Sequence, residues 1–515
     1  MTRTPARLLI LALLTALGLD GAVSAGAAGL DWPAGRLLPA FSTPAPVLDC
    51  VDLSSASGAE IDLFTSLEGI VNRTRPQIAC VNPERKGGFP WLDLHQLHYS
   101  MTDGYGAVLK YRTNVAGLVV TDPKQIHTLN LATTIAGVNN ELICDPSLLG
   151  TLTNAPYNFS IVDDLRGRFA NSYEVYRYLY SNYWSRCTHR VFAGMNPKLH
   201  GHLRDYLIAV KSATVWLGPG KTKDAELLRL FVSQMTPVEG VYMGWWPGEG
   251  DGMEWIARFG IPVLASDLFC NATVFSGVDH PIRIPEIPPP PPLENKVYVA
   301  LILSDGDNIQ YMQNTMKRNW GSSVRGVIPI GWTCSPLAVD FDPMMLDYYW
   351  NTATTNDCLV SGPSGAGYAH INRWNSTNLA AFTRVSTPYL QRSGLRIITV
   401  WDNVTAPVAQ SFAENCPTLL GLTDQGGTYN KVNLGLRTIG LTPTYTSSVA
   451  KMIAAITKAA ARWKGKAPLF IAAQSDVWHL GPEGLRDVAS ALNTNKYKLV
   501  RPDHLFMLSN QSTKR

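Results

Sequence analysis

The sequence predicts an α/β protein: an N-terminal α/β domain followed by an irregular (β/α) barrel-like C-terminal domain. Three observations carry this. Short apolar runs rich in Val, Ile and Leu alternate with helically spaced segments along most of the chain. In the second half, polar residues gather just after the apolar runs, where barrels keep their functional groups. Five consecutive prolines, Pro288 to Pro292, separate the two halves. Such a run forms a stiff spacer without backbone donors.

Residues 1–25 read as a signal peptide. Arg3 and Arg7 precede an apolar run from Leu8 to Leu17, and Val23 and Ala25 stand at the −3 and −1 positions of a cleavage site. The run is short for a membrane span, and no later stretch is long enough for one. The expectation is a secreted or periplasmic chain with no membrane span after signal removal. In that setting the even count of 8 cysteines favours disulfides. No Cys-x-x-Cys occurs, which speaks against a zinc knuckle. The 515 residues exceed one ordinary core. The net charge of +4 comes without a long basic cluster, which excludes a nucleic-acid surface.

Residues 26–284 form the first domain. Val47–Val51, Gln77–Val81, Gly117–Thr121, Phe159–Val162, Ala213–Leu217, Gly240–Trp246 and Ile261–Ser266 read as strands. Leu63–Val71, Tyr173–Trp184 and Leu203–Lys211 have helical spacing, and the aromatic Tyr173–Trp184 helix is expected to cover the core. No glycine-rich phosphate loop follows any strand, which disfavours nucleotide binding. Two strand ends carry carboxylates: Trp245-Trp246-Pro247-Gly248-Glu249-Gly250-Asp251, and Ser266-Asp267. Turn chemistry explains either one as well as a site does.

Residues 285–295 are the linker and 296–515 the second domain. Its strands are expected at Val297–Leu303, Gly326–Trp332, Cys358–Val360, Leu395–Trp401, Leu419–Leu422, Leu436–Leu441, Leu469–Ala473, Tyr497–Val500 and Leu505–Leu508. Val449–Trp463 is the clearest helix between them. Seven or eight strand–helix units in about 215 residues fit a barrel, with a doubly wound open sheet as the competing topology.

The chain is organised around Lys296–Tyr311, KVYVALILSDGDNIQY. A strand buried on both faces ends abruptly in Ser304-Asp305-Gly306-Asp307-Asn308, and Gly306 lets the backbone turn between the carboxylates. Ligands of α/β folds bind at such carboxyl ends, although Asp beside Gly is also a common turn signal. A second candidate stretch is Pro363-Ser364-Gly365-Ala366-Gly367-Tyr368-Ala369-His370. Gly365 and Gly367 allow close approach of a ligand to backbone N–H groups, and Tyr368 and His370 offer rings and hydrogen bonds. The competing reading is a surface turn with Tyr368 as a packing lid.

With these stretches the chain resembles the GxGYxYP family of exported proteins, which are classed by inference as glycoside hydrolases. The namesake motif falls on Gly365-Ala366-Gly367-Tyr368-Ala369-His370-Ile371, and the SDGDN segment on Ser304–Asn308 with Gln310 and Tyr311 in step. An early helix similar to the family's stands at Leu67-Glu68-Gly69-Ile70-Val71-Asn72-Arg73. His370 stands where the family has Tyr, and Ile371 where it has Pro. The resemblance covers most of the mature chain and implies a carbohydrate substrate.

Glycosidases commonly use one carboxylic acid and one carboxylate. Asp305, Asp307, Asp402 and Glu249 are the catalytic candidates, and a pair drawn from different strands is preferred to Asp305 with Asp307. Asn308, Gln310, Trp332, Ser364, Gly365, Gly367, Tyr368, His370, Trp401 and Asp267 are the expected substrate contacts. Two alternatives compete. One is a non-catalytic glycan-binding protein. The other is a metal-dependent carbohydrate hydrolase or deacetylase using Asp305, Asp307, Asn308 and His370. No cofactor is expected, although a structural Ca²⁺ could sit on Asp, Asn and backbone oxygens.

Overall fold

The computed structural model describes residues 30–82, 89–427 and 429–513. The signal segment lies outside them. Among the described residues no helix is long and apolar enough to cross a membrane.

The N-terminal half holds ten strands: β1 (Leu48–Asp52), β2 (Ile78–Val81), β3 (Tyr99–Thr102), β4 (Gly117–Val120), β5 (Glu141–Cys144), β6 (Ile161–Asp164), β7 (Val191–Gly194), β8 (Ala213–Val215), β9 (Val241–Gly244) and β10 (Val263–Ala265). They form three small parallel sheets, ordered β2-β1-β3, β5-β4-β6 and β10-β9-β7-β8. Three of the strands, β3, β5 and β7, are not among those expected from the sequence; each is only four residues long. Helix Ser172–Asn182 packs Val175, Tyr176 and Leu179 inward, as its aromatic stripe predicts.

Helix Gly58–Asn72 fastens this half together. Ser57 and Glu60 close a reciprocal capping box at its start. Nearly every residue beyond Ile61 is buried, because sheet or helix packs on all its sides. Asn72 Nδ2 donates to Ile78 O and Thr273 Oγ1. The Arg73 guanidinium donates to the carbonyls of Ala209, Gly137 and Ile208. The polar residues of the Leu67–Arg73 motif therefore satisfy buried backbone groups. Glu68, buried in the same helix, stands beside Asp205.

The C-terminal half contains β11 (Val297–Leu303), β12 (Ile330–Cys334), β13 (Asp357–Ser361), β14 (Ile397–Thr399), β15 (Gly421–Asp424), β16 (Asn430–Asn433), β17 (Leu436–Gly440), β18 (Leu469–Ser475) and β19 (Tyr497–Leu499). They form one sheet ordered β16-β17-β15-β14-β13-β12-β11-β18, parallel except for β16, with β19 beside the first half of β11. The sheet curls like a barrel. The chain after β17 returns against β18, where Thr442 N–H donates to Ala472 O and Asp476 N–H to Thr446 O.

All seven residues of β11 are buried, as its unbroken apolar run predicts. Tyr298, Ala300 and Ile302 pack in one cluster with Leu505, Phe506 and Leu508, while Val297, Val299, Leu301 and Leu303 belong to the other. Leu505–Leu508, expected as a strand, lies within helix Pro502–Ser512. That helix is buried on almost every side, so its apolar residues run without helical spacing and mimic a buried strand. Gly421 admits it: a Cβ there would stand 2.1 Å from the Phe506 ring.

The proline-rich linker lies along this half. His504 Nε2 donates to Pro288 O, and Tyr298 Oη to Pro292 O.

The disulfides expected from eight cysteines are not formed, and seven of the thiols are buried. Two pairs of cysteines sit on neighbouring strands but point to opposite faces. Cys50 pairs in register with Ala79 rather than Cys80, and Gly331 rather than Cys334 pairs with Cys358.

Candidate active site

The loop after β11 is held at both ends by the strands beside it. Thr333 Oγ1 accepts from Gly306 N–H and donates to Leu303 O. A Cβ on Gly306 would stand 2.1 Å from the Thr333 carbonyl carbon, so only glycine passes here. The flanking Asp305 has a φ of +87°, and Asp402, after β14, has +110°. Both lie in the left-handed region that favours glycine, and such backbone strain concentrates at functional sites.

The N-terminal half supplies one wall. Val263 and Tyr368 exchange both backbone hydrogen bonds, at 2.9 and 2.8 Å. The Gly365–His370 stretch is thereby welded to β10, and Gly365 and Gly367 make the turn with φ of +128° and +111°. Asp267 and Gln310 form a second weld. Gln310 donates to Asp267 Oδ1 at 2.8 Å and accepts from Leu268 N–H at 2.7 Å.

Four carboxylates converge on Tyr368. Asp307, Glu249, Asp402 and Asp305 all press electrostatically on its phenol, which burial and their charges push well above the ordinary tyrosine range. The Tyr368 hydroxyl also faces Glu249 and favours its charged form. Burial and then the charge of Asp305 hold the Asp307 carboxyl well above the usual carboxylate range. Glu249 is raised by the same two causes, less strongly. Asp305 is raised by burial but eased by donors, first the Trp478 indole. Trp478 Nε1 donates to Asp305 Oδ2. Tyr445 Oη donates to Asp476 Oδ1 at 3.1 Å and lies 3.5 Å from Asp305 Oδ1. His479 Nδ1 is 2.6 Å from Asp476 Oδ2. His370 Nδ1 stands 3.1 Å from Asp402 Oδ2, at ion-pair distance but without hydrogen-bond alignment.

Aromatic rings frame these groups. Trp245 stacks toward Tyr368 with centroids 6.4 Å apart, and Trp401 meets Tyr368 edge-on at 5.7 Å. Tyr445 and Trp478 are exposed at the rim. A narrow crevice between Asp305, Asp307, Trp401, Gln425 and Gln474 forms the floor. A larger cavity of about 580 Å³ lies at the opposite ends of the strands. Its Asp357, Arg501 and Asp503 are already committed to ion pairs.

Asp305, Asp307, Glu249, Asp402, Tyr368, His370 and Trp401 thus lie close together. The other expected contacts have structural tasks. Trp332 is fully buried and donates Nε1–H to Asp357, so it is a core residue. Ser364 is fully buried, donates to Ala369 O and accepts from Trp401 N–H. Asn308 caps the turn of helix at Ile309–Tyr311. Gln310 and Asp267 are spent on the interdomain weld. Gly365 and Gly367 shape backbone. Tyr445, Asp476 and Trp478 are additions. Asp476 follows a strand, the same signal that marks Asp305, but Tyr445 and Trp478 lie in loops without a motif. Among the described residues no group of three or more His, Cys, Asp or Glu is arranged to hold a metal ion.

A crystal structure described as a putative hydrolase from Bacteroides thetaiotaomicron VPI-5482 shares this fold, with a TM-score of 0.82 and 19% identity over 94% of this chain and 98% of that one. No curated protein matches the chain. Family models match residues 115–187 ("GxGYxYP_N second domain"), 189–277 ("GxGYxYP third domain") and 295–510 ("GxGYxYP putative glycoside hydrolase C-terminal domain"). The chain belongs to the GxGYxYP family.

Proposed function

We propose that this cleft hydrolyses a glycosidic bond of a glycan outside the cytoplasm. The observation that carries the reading is the convergence of Asp305, Asp307, Glu249 and Asp402 around Tyr368 under an aromatic rim. Binding alone does not require several carboxylates, whereas glycoside hydrolysis uses two with different protonation. Neighbouring carboxyls whose surroundings separate their pKa values can divide those roles.

Asp307, raised most by burial and the Asp305 charge, keeps its proton to higher pH than Asp305 and protonates the departing oxygen. Asp305 takes the negative charge, because the Trp478 N–H donates to it. It serves as base or nucleophile. Glu249 stands near Tyr368, raised by burial and by the Asp305 charge, and is the second candidate for the acid. Trp245, Trp401 and Trp478 present apolar faces to the sugar rings. Asp476 accepts the Tyr445 O–H and so positions that ring beside Asp305.

The test is reducing-sugar release from a broad panel of poly- and oligosaccharides by wild type, Asp305→Asn and Asp307→Asn, each with and without EDTA. Release that the substitutions abolish and EDTA leaves unchanged supports the assignment. Release that EDTA abolishes overturns it in favour of a metal site, and glycan binding without release favours a binding protein.

A further inference from the structure

A second groove shares a loop with the cleft. It lies at the carboxyl ends of β8 and β9, has a volume of about 370 Å³, and is lined by Trp216, His127, Asp224, Asp251, Lys221 and the residues of the two loops between them. The shared loop is Trp245–Asp251. Trp245 and Glu249 turn toward Tyr368 in the cleft, while Pro247, Gly248 and Asp251 line the groove.

The two walls are built to meet closely. A Cβ on Gly220 would stand 2.9 Å from Asp251 Oδ2, and one on Gly218 would lie 3.7 Å from Pro247. Trp216 is half-buried and lines the groove. His127 is fixed through Nδ1, 2.8 Å from Tyr176 Oη, leaving Nε2 as its remaining polar edge. Asp224 is also half-buried and close enough to His127 to interact with it electrostatically. Neither Asp224 nor Asp251 has a hydrogen bond or ion pair among the described residues. The groove thus combines an indole face with uncommitted carboxylate oxygens and an imidazole edge. An aromatic face suits the apolar side of a pyranose, and the polar edges suit its hydroxyls. Asp224 and Asp251 lie in the first turns of helices Thr222–Val232 and Glu249–Ala257. Their charges offset the positive helix ends and outnumber the one lining cation, Lys221, so an anion is disfavoured and a neutral polyol fits.

We propose that this groove is a second sugar-binding subsite, which holds a distal unit of the glycan whose scissile bond lies in the cleft. The inference rests on the hydrolase reading for the identity of the chain it holds, and it is tested by binding rather than turnover. The probes are soluble xylan, mannan, arabinan, β-glucan and pectic galactan cast in native gels. The proteins are wild type, Trp216→Ala and the isosteric Asp224→Asn, the last two also in the Asp305→Asn background.

The expected result is retardation of the wild type by at least one polysaccharide, with affinity reduced about tenfold or more by Trp216→Ala and measurably by Asp224→Asn. Hydrolysis of a short aryl glycoside should stay unchanged. Retardation that neither substitution alters overturns the subsite and leaves the hydrolase reading intact. Groove-dependent retardation without any sugar release leaves the subsite standing and removes the hydrolase. A wild type retarded by none of the gels overturns the subsite. Circular dichroism of each variant separates lost binding from lost folding, and Asp224→Asn keeps the test open if Trp216→Ala does not fold.

Discussion

The Trp478 indole N–H points at Asp305 Oδ2, and it is the foremost influence opposing the effect of burial on that carboxyl. The two residues lie on different strand ends, after β18 and β11, which run side by side through Leu303 and Ser475. Trp478→Phe keeps the ring and deletes the donor. Asp305 should then hold its proton to higher pH, so the acidic limb of kcat/KM should move up by about one pH unit. A pH–rate profile of the variant checks this. An unchanged limb would remove Asp305 as the group that titrates there.

Asp307 should define the opposite limb. Its carboxyl is raised by burial and by the Asp305 charge, and it acts while protonated. Activity should therefore fall as pH rises through its pKa, and fall as pH drops through that of Asp305. Asp307→Asn should lower kcat by on the order of 10²–10⁴ with unchanged circular dichroism. Substrates with very good leaving groups need less protonation and should lose less, which comparison of aryl glycosides of differing leaving-group acidity measures.

Two tryptophans at strand ends look alike in the sequence and should behave differently. Trp332 is a buried hydrogen-bond donor to Asp357, whereas Trp401 is half-exposed against Tyr368 and Tyr445. Trp332→Phe should cost about 1–3 kcal/mol of stability, because it leaves a buried carboxylate short of a partner, with KM nearly unchanged. Trp401→Ala should raise KM several-fold and leave the melting temperature nearly unaltered. Thermal denaturation and steady-state kinetics on both variants distinguish the two.

These contrasts mark how far the sequence could be read. Buried parallel strands are written as apolar runs, so β11 and most of its neighbours are visible, and the carboxylates after them with them. Strand polarity alone does not say on which side of the sheet a residue falls. Trp332 and Trp401 both follow the pattern, and only packing separates them. The Asp267–Gln310 weld joins residues 43 positions apart, and polar residues used this way look like ligand contacts. Tyr445 and Trp478 reach the cleft from loops whose course no periodicity encodes. Helix Pro502–Ser512 misleads for the opposite reason, since complete burial erases its amphipathic stripe.

The buried pair Glu68 and Asp205 gives a prediction about stability rather than catalysis. Glu68 Oε1 and Asp205 Oδ1 have no hydrogen-bond partner, and burial pushes both carboxyls up, Asp205 to about 6 and Glu68 well above the usual range. In the unfolded chain both titrate near 4. Between these limits the native state binds more protons than the unfolded state, so stability is greatest at low pH and declines as pH rises. The decline should begin near pH 4, with the Asp205 share lost by about pH 6 and the Glu68 share continuing above it. Glu68→Gln removes the carboxyl that must take up a proton on folding while keeping the side-chain shape. It should flatten the dependence of melting temperature on pH between 5 and 8, and raise the melting temperature at pH 8 relative to wild type. Calorimetry across that range tests it. If Glu68→Gln lowered the melting temperature equally at every pH, Glu68 would be ionised in the native protein, compensated by a partner.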